Sequence, residues 1–421
     1  MTAIPYQAQF EALKSSFGAL APQREAAFAR YAKHGFPAQA REAWRYTKLS
    51  PIANADFAPA EPAPLTAADI AAHLIPDAIT LVFVNGRFDD ALSNLDQAEP
   101  GLTVESLQDA IARGDDLGDV LDNADAGPDD ALVSLNTAMM ADGALIRVAD
   151  GARIEAPIHL LFFANRPGMA HIRNLISLGA SARATLVESY YGSTETYWTN
   201  VVNQIDLGDG AHLEHARAQE ESKNAYHIGV TKLHLTDDAS FNGVSVMRGG
   251  ILARNEVQVT VSGEGADCKL AGVSLGRDKQ VLDSITRFDH AVPNSTSDQL
   301  FKSVLDDQSH AIYQGKVIVR QDAQHTDATQ ANHNLLLARS AQASSKPELE
   351  IYADDVKCAH GATVGEMDAS MMFYLKSRGL DEETAQKLLI DGFVTEVLER
   401  IPSTEIRDVI ATDIAGWRLG G

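Results

Sequence analysis

The feature that most constrains this chain is a repeat. Ile146–Ile154, Ile176–Ala184, Ile205–Leu213, Leu233–Phe241 and Val259–Asp267 share one form: an apolar strand end, a small or acidic turn, an alanine, and a second short strand. Their first residues lie 30, 29, 28 and 26 positions apart. No helical pattern intervenes, so the segments predict a stacked β-coil in which each period adds one turn. Alanine or glycine suits a tight corner, which has no room for a larger side chain. Ala152, Ala182 and Ala211 are therefore expected at equivalent bends. A two-sheet sandwich is the competing reading of regular strands and turns. After an irregular stretch near 277–300, similar units return from Val304, Ile318 and Leu336 at closer spacing.

Both flanks differ in texture. The first ~75 residues are alanine-rich, with Phe10, Leu13, Phe17 and Leu20 at helical spacing, and Leu81–Val84 is an isolated apolar strand before an Asn85-Gly86 turn. Residues 89–130 are acidic, with short helical patterns and no evident chemistry. Beyond Met367, Ile390, Phe393, Val394, Val397, Leu398 and Ile401 form a continuous apolar stripe behind an acidic start at Asp381. A second stretch carries Ile406, Val409, Ile410, Ile414 and Trp417. A coil needs its last turn covered, so this region is expected to cap the coil end, to dock a partner, or both. The resulting division is a mainly helical region at 1–130, a β-coil core at 131–365 and a C-terminal helical region at 366–421.

The chain has 421 residues, 45% of them hydrophobic, enough for a large core. Its net charge of −23 repels phosphate backbones and anionic headgroups, which argues against nucleic acid and membrane surfaces as partners. No run of about eighteen apolar residues is present, and the N-terminus lacks a basic-then-apolar leader pattern. Two cysteines in a chain of this size point to a reducing, cytoplasmic setting. One of them, Cys358, stands two residues before His360 in an alternating segment with Val356, Ala362 and Val364. On a strand, such neighbours share a face about 6.6–7 Å apart, so a soft thiolate and an imidazole would project side by side. That pair suits iron or zinc, although a small core cysteine with a histidine neighbour reads equally well from the residues alone. Clusters usually take four ligands, so a functional pair needs donors from elsewhere, most simply a second chain.

Two catalytic patterns carry less. Gly272-Val273-Ser274-Leu275-Gly276 fits a nucleophile elbow, but a strand-like run follows where the elbow needs a helix. Gly315-Lys316 lacks the first glycine and the hydroxyl of a phosphate-binding loop, so no nucleotide site is expected. His212 and His215, three apart on a strand, should face opposite ways.

Asp354-Asp355-Val356-Lys357-Cys358, His360-Gly361-Ala362-Thr363-Val364-Gly365 and Phe373-Tyr374-Leu375 with Ser377-Arg378-Gly379 resemble the SufB/SufD family of the Suf iron–sulfur assembly machinery, in its SufD branch. Trp44-Arg45-Tyr46-Thr47, Leu81–Phe88, Leu135-Asn136-Thr137-Ala138, Gly315–Val319 and Asn332 with Asn334–Leu337 extend the likeness over nearly the whole chain. The resemblance implies a mainly β protein with a parallel β-helix core flanked by N-terminal and C-terminal helical regions. It implies a non-enzymatic scaffold, paired with a SufB-type paralogue and bound to a SufC-type ATPase that docks on the C-terminal helices. Cys358 and His360 would then help hold a transient iron–sulfur cluster shared with SufB, and Phe373 and Tyr374 are candidate partner-binding anchors. A β-helical carbohydrate-active enzyme and a purely structural homodimer are the alternatives.

Overall fold

The computed structural model describes residues 4–418 apart from 97–98, 116, 118–120 and 122–126, so part of the acidic 89–130 stretch lies outside the described residues. Successive strands are dealt alternately to two sheets, one of ten strands and one of nine. Within each sheet the neighbours from Ala144 onward are parallel and one period apart, as in Tyr226–Leu235 against Leu252–Val261. The core is thus a parallel β-helix, and the sandwich reading falls.

One column of contacts shows why the repeat makes a coil. Arg153, Arg183, His212, Ser240, Asp267, Thr296, Asp327 and Lys357 stack in register. The residue before each is the bend: Ala152, Ala182, Ala211, Ala239 and Ala266, then Ser295, Thr326 and Val356. Ala182, Ala211, Ala239 and Ala266 are buried inside the corner. The residue before each of the first seven bends has a left-handed backbone, with φ from +53° to +75° at Gly151, Ser181, Gly210, Asp238, Gly265, Asn294 and His325. Glycine, asparagine and aspartate dominate because their steric cost there is lowest. Turn amides bond upward to the next turn, as from Ser181 to the Asp209 carbonyl at 2.7 Å. The period runs unbroken through 277–300, where the sequence suggested irregularity.

The N-terminal segments cover the outside of the nine-stranded sheet. Gln7–Leu13 and Ala21–His34 pack with Ala131–Met139, all nine of whose residues are buried. Ile79–Val84 joins the ten-stranded sheet beside Ile158–Ala164, and Leu102–Ser106 opens the nine-stranded one. The C-terminal stripe lies along the side of the coil. Ile390, Val394, Val397, Ile406, Ile410 and Trp417 of helices Glu382–Leu398 and Thr404–Arg418 pack on Ala216, Val244, Val273 and Leu300, on the outer face of the ten-stranded sheet. Buried Lys302 donates to the Phe393 carbonyl at 2.9 Å and pairs with Glu396. These helices therefore leave the end of the coil uncapped.

Three buried histidines make the fold acid-sensitive. Burial lowers His159 and His171 from 6.5 to about 3, and His290 to about 4. Each folded value lies below the unfolded one, so the unfolded chain takes up protons that the folded chain refuses as pH falls below 6.5. Stability should drop by roughly 1.4 kcal/mol per histidine per pH unit between about pH 6 and 4. Urea midpoints across that range would read it. A flat profile would mean these side chains are hydrated in solution.

Candidate functional site

The last strands of the two sheets, Gln342–Ile351 and Lys357–Glu366, each have a neighbour on one side only. Their outer edges present unpaired N–H and C=O groups, which natural proteins normally cover. Exposed apolar side chains lie on or beside these strands, Ile351, Tyr352 and Val364, and others follow on the next helix, Met371, Phe373 and Tyr374.

Cys358 and His360 sit on that open edge. Their in-register neighbours are Ala328 and Gln330, both buried with their side chains toward the lumen. Cys358 is half-buried and packs against the lumen core, which fixes the face it shares with His360. His360 is exposed at the rim. Burial and then the nearby Asp327 raise the Cys358 thiol above its usual value, partly offset by the Ala328 backbone N–H. A metal taken by this sulfur must therefore displace its proton. Among the described residues no three His, Cys, Asp or Glu side chains come close enough together to hold a metal ion. The pair offers one soft sulfur and one imidazole, donor types that suit iron, and falls short of the four ligands a cluster usually takes.

Phe373 and Tyr374 lie on a helix, Ala369–Ser377, that buries none of its residues. Asp368 caps its start by accepting from the amides of Ser370 and Met371. Phe373 is 75% exposed and Tyr374 56%, values unusual for large apolar side chains without a partner. They follow the last strand in the chain, on a different element from Cys358 and His360.

The family profile described as the SufBD core domain of the SUF system for FeS cluster assembly matches residues 162–393, and the SufBD N-terminal region profile matches 5–160. The chain belongs to the SufBD family. It is 33% identical over 387 residues to an iron–sulfur cluster assembly SufBD family protein of Synechocystis, covering 88% of this chain and 85% of that protein. It is 30% identical over 408 residues to the iron–sulfur cluster assembly protein SufD of Escherichia coli, covering 95% and 93%. A chloroplastic Arabidopsis thaliana protein, ABCI7, is 32% identical over 311 residues, 71% of this chain and 65% of that protein.

Several SufBD-like sequence stretches have structural roles here. Trp44 is buried and stacks on the Arg254 guanidinium at 3.8 Å, while Thr47 bonds Asp283, which also pairs with Arg254. This clasp fastens the N-terminal segment to the nine-stranded sheet. Asn136 donates to the carbonyls of Ile172 and Asn200, both at 2.9 Å, holding its helix to two strands. Gly272–Gly276 runs within the strand Asp267–Gly276 and leads to another strand, so no nucleophile elbow exists. His212 lies outside, against Glu214 and Ser240, and His215 faces the lumen, as strand parity requires. Cys268 is a buried rung residue.

The sequence reading missed a charged network inside this SufBD coil. Glu188, wholly buried, accepts from His215 and Asn203 at 2.8 and 2.7 Å and from the Tyr190 hydroxyl. Arg217 lies 3.9 Å from Glu188 and donates to Nε2 of His227. His227 is therefore neutral, with its proton on Nδ1 donated to Glu221. The signal was parity: Glu188 and Tyr190 share the parity of Leu186, and His215 and Arg217 that of Leu213, so all point inward.

Proposed function

We propose that this chain is a SufD-type scaffold subunit on which iron–sulfur clusters are assembled with a SufB-type paralogue, driven by a SufC-type ATPase. The observation that carries the reading is the uncapped coil end bearing Cys358 and His360. Two unpaired strand edges offer main-chain hydrogen bonds to the edge of a paralogous coil. The same approach would bring that chain's donors to the half-site, completing a cluster that neither subunit holds alone. The cluster is cargo, built there and passed on. This chain supplies an edge, an imidazole, a thiol and a rigid frame, and no catalytic step of its own. Two free thiols suit a reducing, cytoplasmic compartment, and among the described residues no helix is long and apolar enough to cross a membrane.

The ATPase subunit would dock on Ala369–Ser377, where Phe373 and Tyr374 are the exposed anchors. Co-expression should yield a complex of all three subunits, with cluster formation requiring each. Phe373→Ala should weaken ATPase-subunit binding by about tenfold or more, since aromatic anchors dominate interface energy, without changing the melting temperature. Unchanged affinity in the Phe373/Tyr374 double alanine variant would move the docking site elsewhere. Without the paralogue, a second copy of this chain could occupy the same edges. Cluster formation by that homodimer alone would overturn the paired reading.

A further inference from the structure

Gln330 is the residue in register directly beneath His360, one strand spacing of about 4.8 Å below it. It is 3% exposed, and both polar atoms of its amide are buried without a hydrogen-bond partner. Such an orphan is uncommon in a folded protein, because a buried amide that gives up water must find a replacement. The rung below is half filled, since the amide nitrogen of Gln299 is also buried without a partner. Gln299, in register with Gln330, has its Oε1 occupied by the hydroxyls of Thr286 at 2.6 Å and Tyr313 at 3.2 Å. Across the lumen, Ser345 shares the inward parity of Leu349, and its buried Oγ also has no partner. Gln330 therefore sits at the top of a polar column whose next amide oxygen, that of Gln299, is occupied while its own is not, and the side chain above it at the mouth is His360.

We infer that Gln330 is the positioning residue of this half-site: its amide oxygen accepts the inward ring N–H of His360 and leaves the other ring nitrogen free at the rim. The inference rests on the reading of His360 as an iron ligand. An imidazole that binds metal through one nitrogen must carry its proton on the other, and a fixed carbonyl acceptor selects that tautomer and holds the ring plane. Placed on an open edge strand, His360 has no other restraint of this kind on its lumen side among the described residues. The amide of Gln330 can rotate to present oxygen upward while its nitrogen turns toward Ser345 Oγ. The buried amide oxygen then becomes paired, and the ring is ready before a partner arrives.

Long-range proton–nitrogen spectra of the full-length chain labelled in its histidines would test this, with His360→Ala identifying the signal. The wild type should show one His360 tautomer. Gln330→Met, equal in length but unable to bond, should release it to a mixture. Gln330→Glu, which keeps an oxygen acceptor, should restore the single form. With the partner subunits present, cluster assembly should fall about tenfold or more in Gln330→Met and recover in Gln330→Glu. A tautomer mixture in the wild-type protein, which requires no variant to fold, would overturn the inference. So would a single tautomer that survives Gln330→Met. Failure of the underlying reading looks different: His360→Ala would then assemble clusters normally while the tautomer pattern still answered to Gln330.

Discussion

Glu188→Ala should cost this protein about 3–5 kcal/mol of folding stability, the usual penalty for breaking a buried ion pair from one side. Glu188 and Glu221 are the two carboxylates of the lumen network, and Arg217 lies 2% exposed between them. Removing Glu188 leaves the guanidinium in direct contact with the neutral His227 ring, with Glu221 only beyond it. It also strips His215, Asn203 and Tyr190 of a shared acceptor. The neighbouring charges and donors hold the Glu188 carboxyl down to about 2 despite complete burial. Because that folded value lies below the unfolded one, its contribution is full above about pH 4.5 and fades as pH falls toward 2. Urea unfolding at pH 7 reads the loss as a lower midpoint at constant slope. Arg217→Met in the same chain should recover part of it, because removing both charges spares the survivor its desolvation cost. A single-variant loss below about 1 kcal/mol would place water in the lumen and make this a solvated pair.

The coil was legible because each turn of the β-helix repeats the same physical problem. A corner must fit a small side chain after a left-handed residue, and Ala182, Ala211, Ala239 and Ala266 solve it alike. The same corner falls at Ser295 and Thr326 further on, where the alanine signature fails although the backbone does not change. That is why 277–300 reads as irregular in sequence and is regular in structure. The C-terminal stripe was visible as an apolar face, but a stripe does not name the surface it covers. The missing clue lay in the strands: Ala216, Val244 and Val273 are apolar on the outer face, while Leu213, Phe241 and Leu270 are apolar on the inner one. A strand apolar on both faces is buried on both. The lumen network was harder still, since Glu188, Arg217 and His227 meet only after successive turns have stacked.

His360→Ala should lower cluster assembly by about tenfold or more, in the range expected when ligation is disturbed, with folding and pairing to the SufB-type subunit intact. His360 is exposed on an edge strand, so alanine there removes little buried packing. Cys358 differs in kind. Its sulfur packs against the lumen core, and its thiol is raised by burial and by Asp327, so at neutral pH it keeps its proton. Cys358→Ser keeps the size and discards the soft sulfur, so a ligand role and a packing role separate cleanly. Packing predicts a small loss of stability with assembly preserved, whereas ligation predicts assembly lost with stability preserved. The exposed imidazole should be the more damaging loss, because it reaches the rim without displacing a proton from a buried thiol. Complementation of a Suf-deficient host by each variant, with iron content measured on the purified complex, would decide between them. Full activity of a stable, paired His360→Ala protein would remove the metal role and leave this subunit a structural partner.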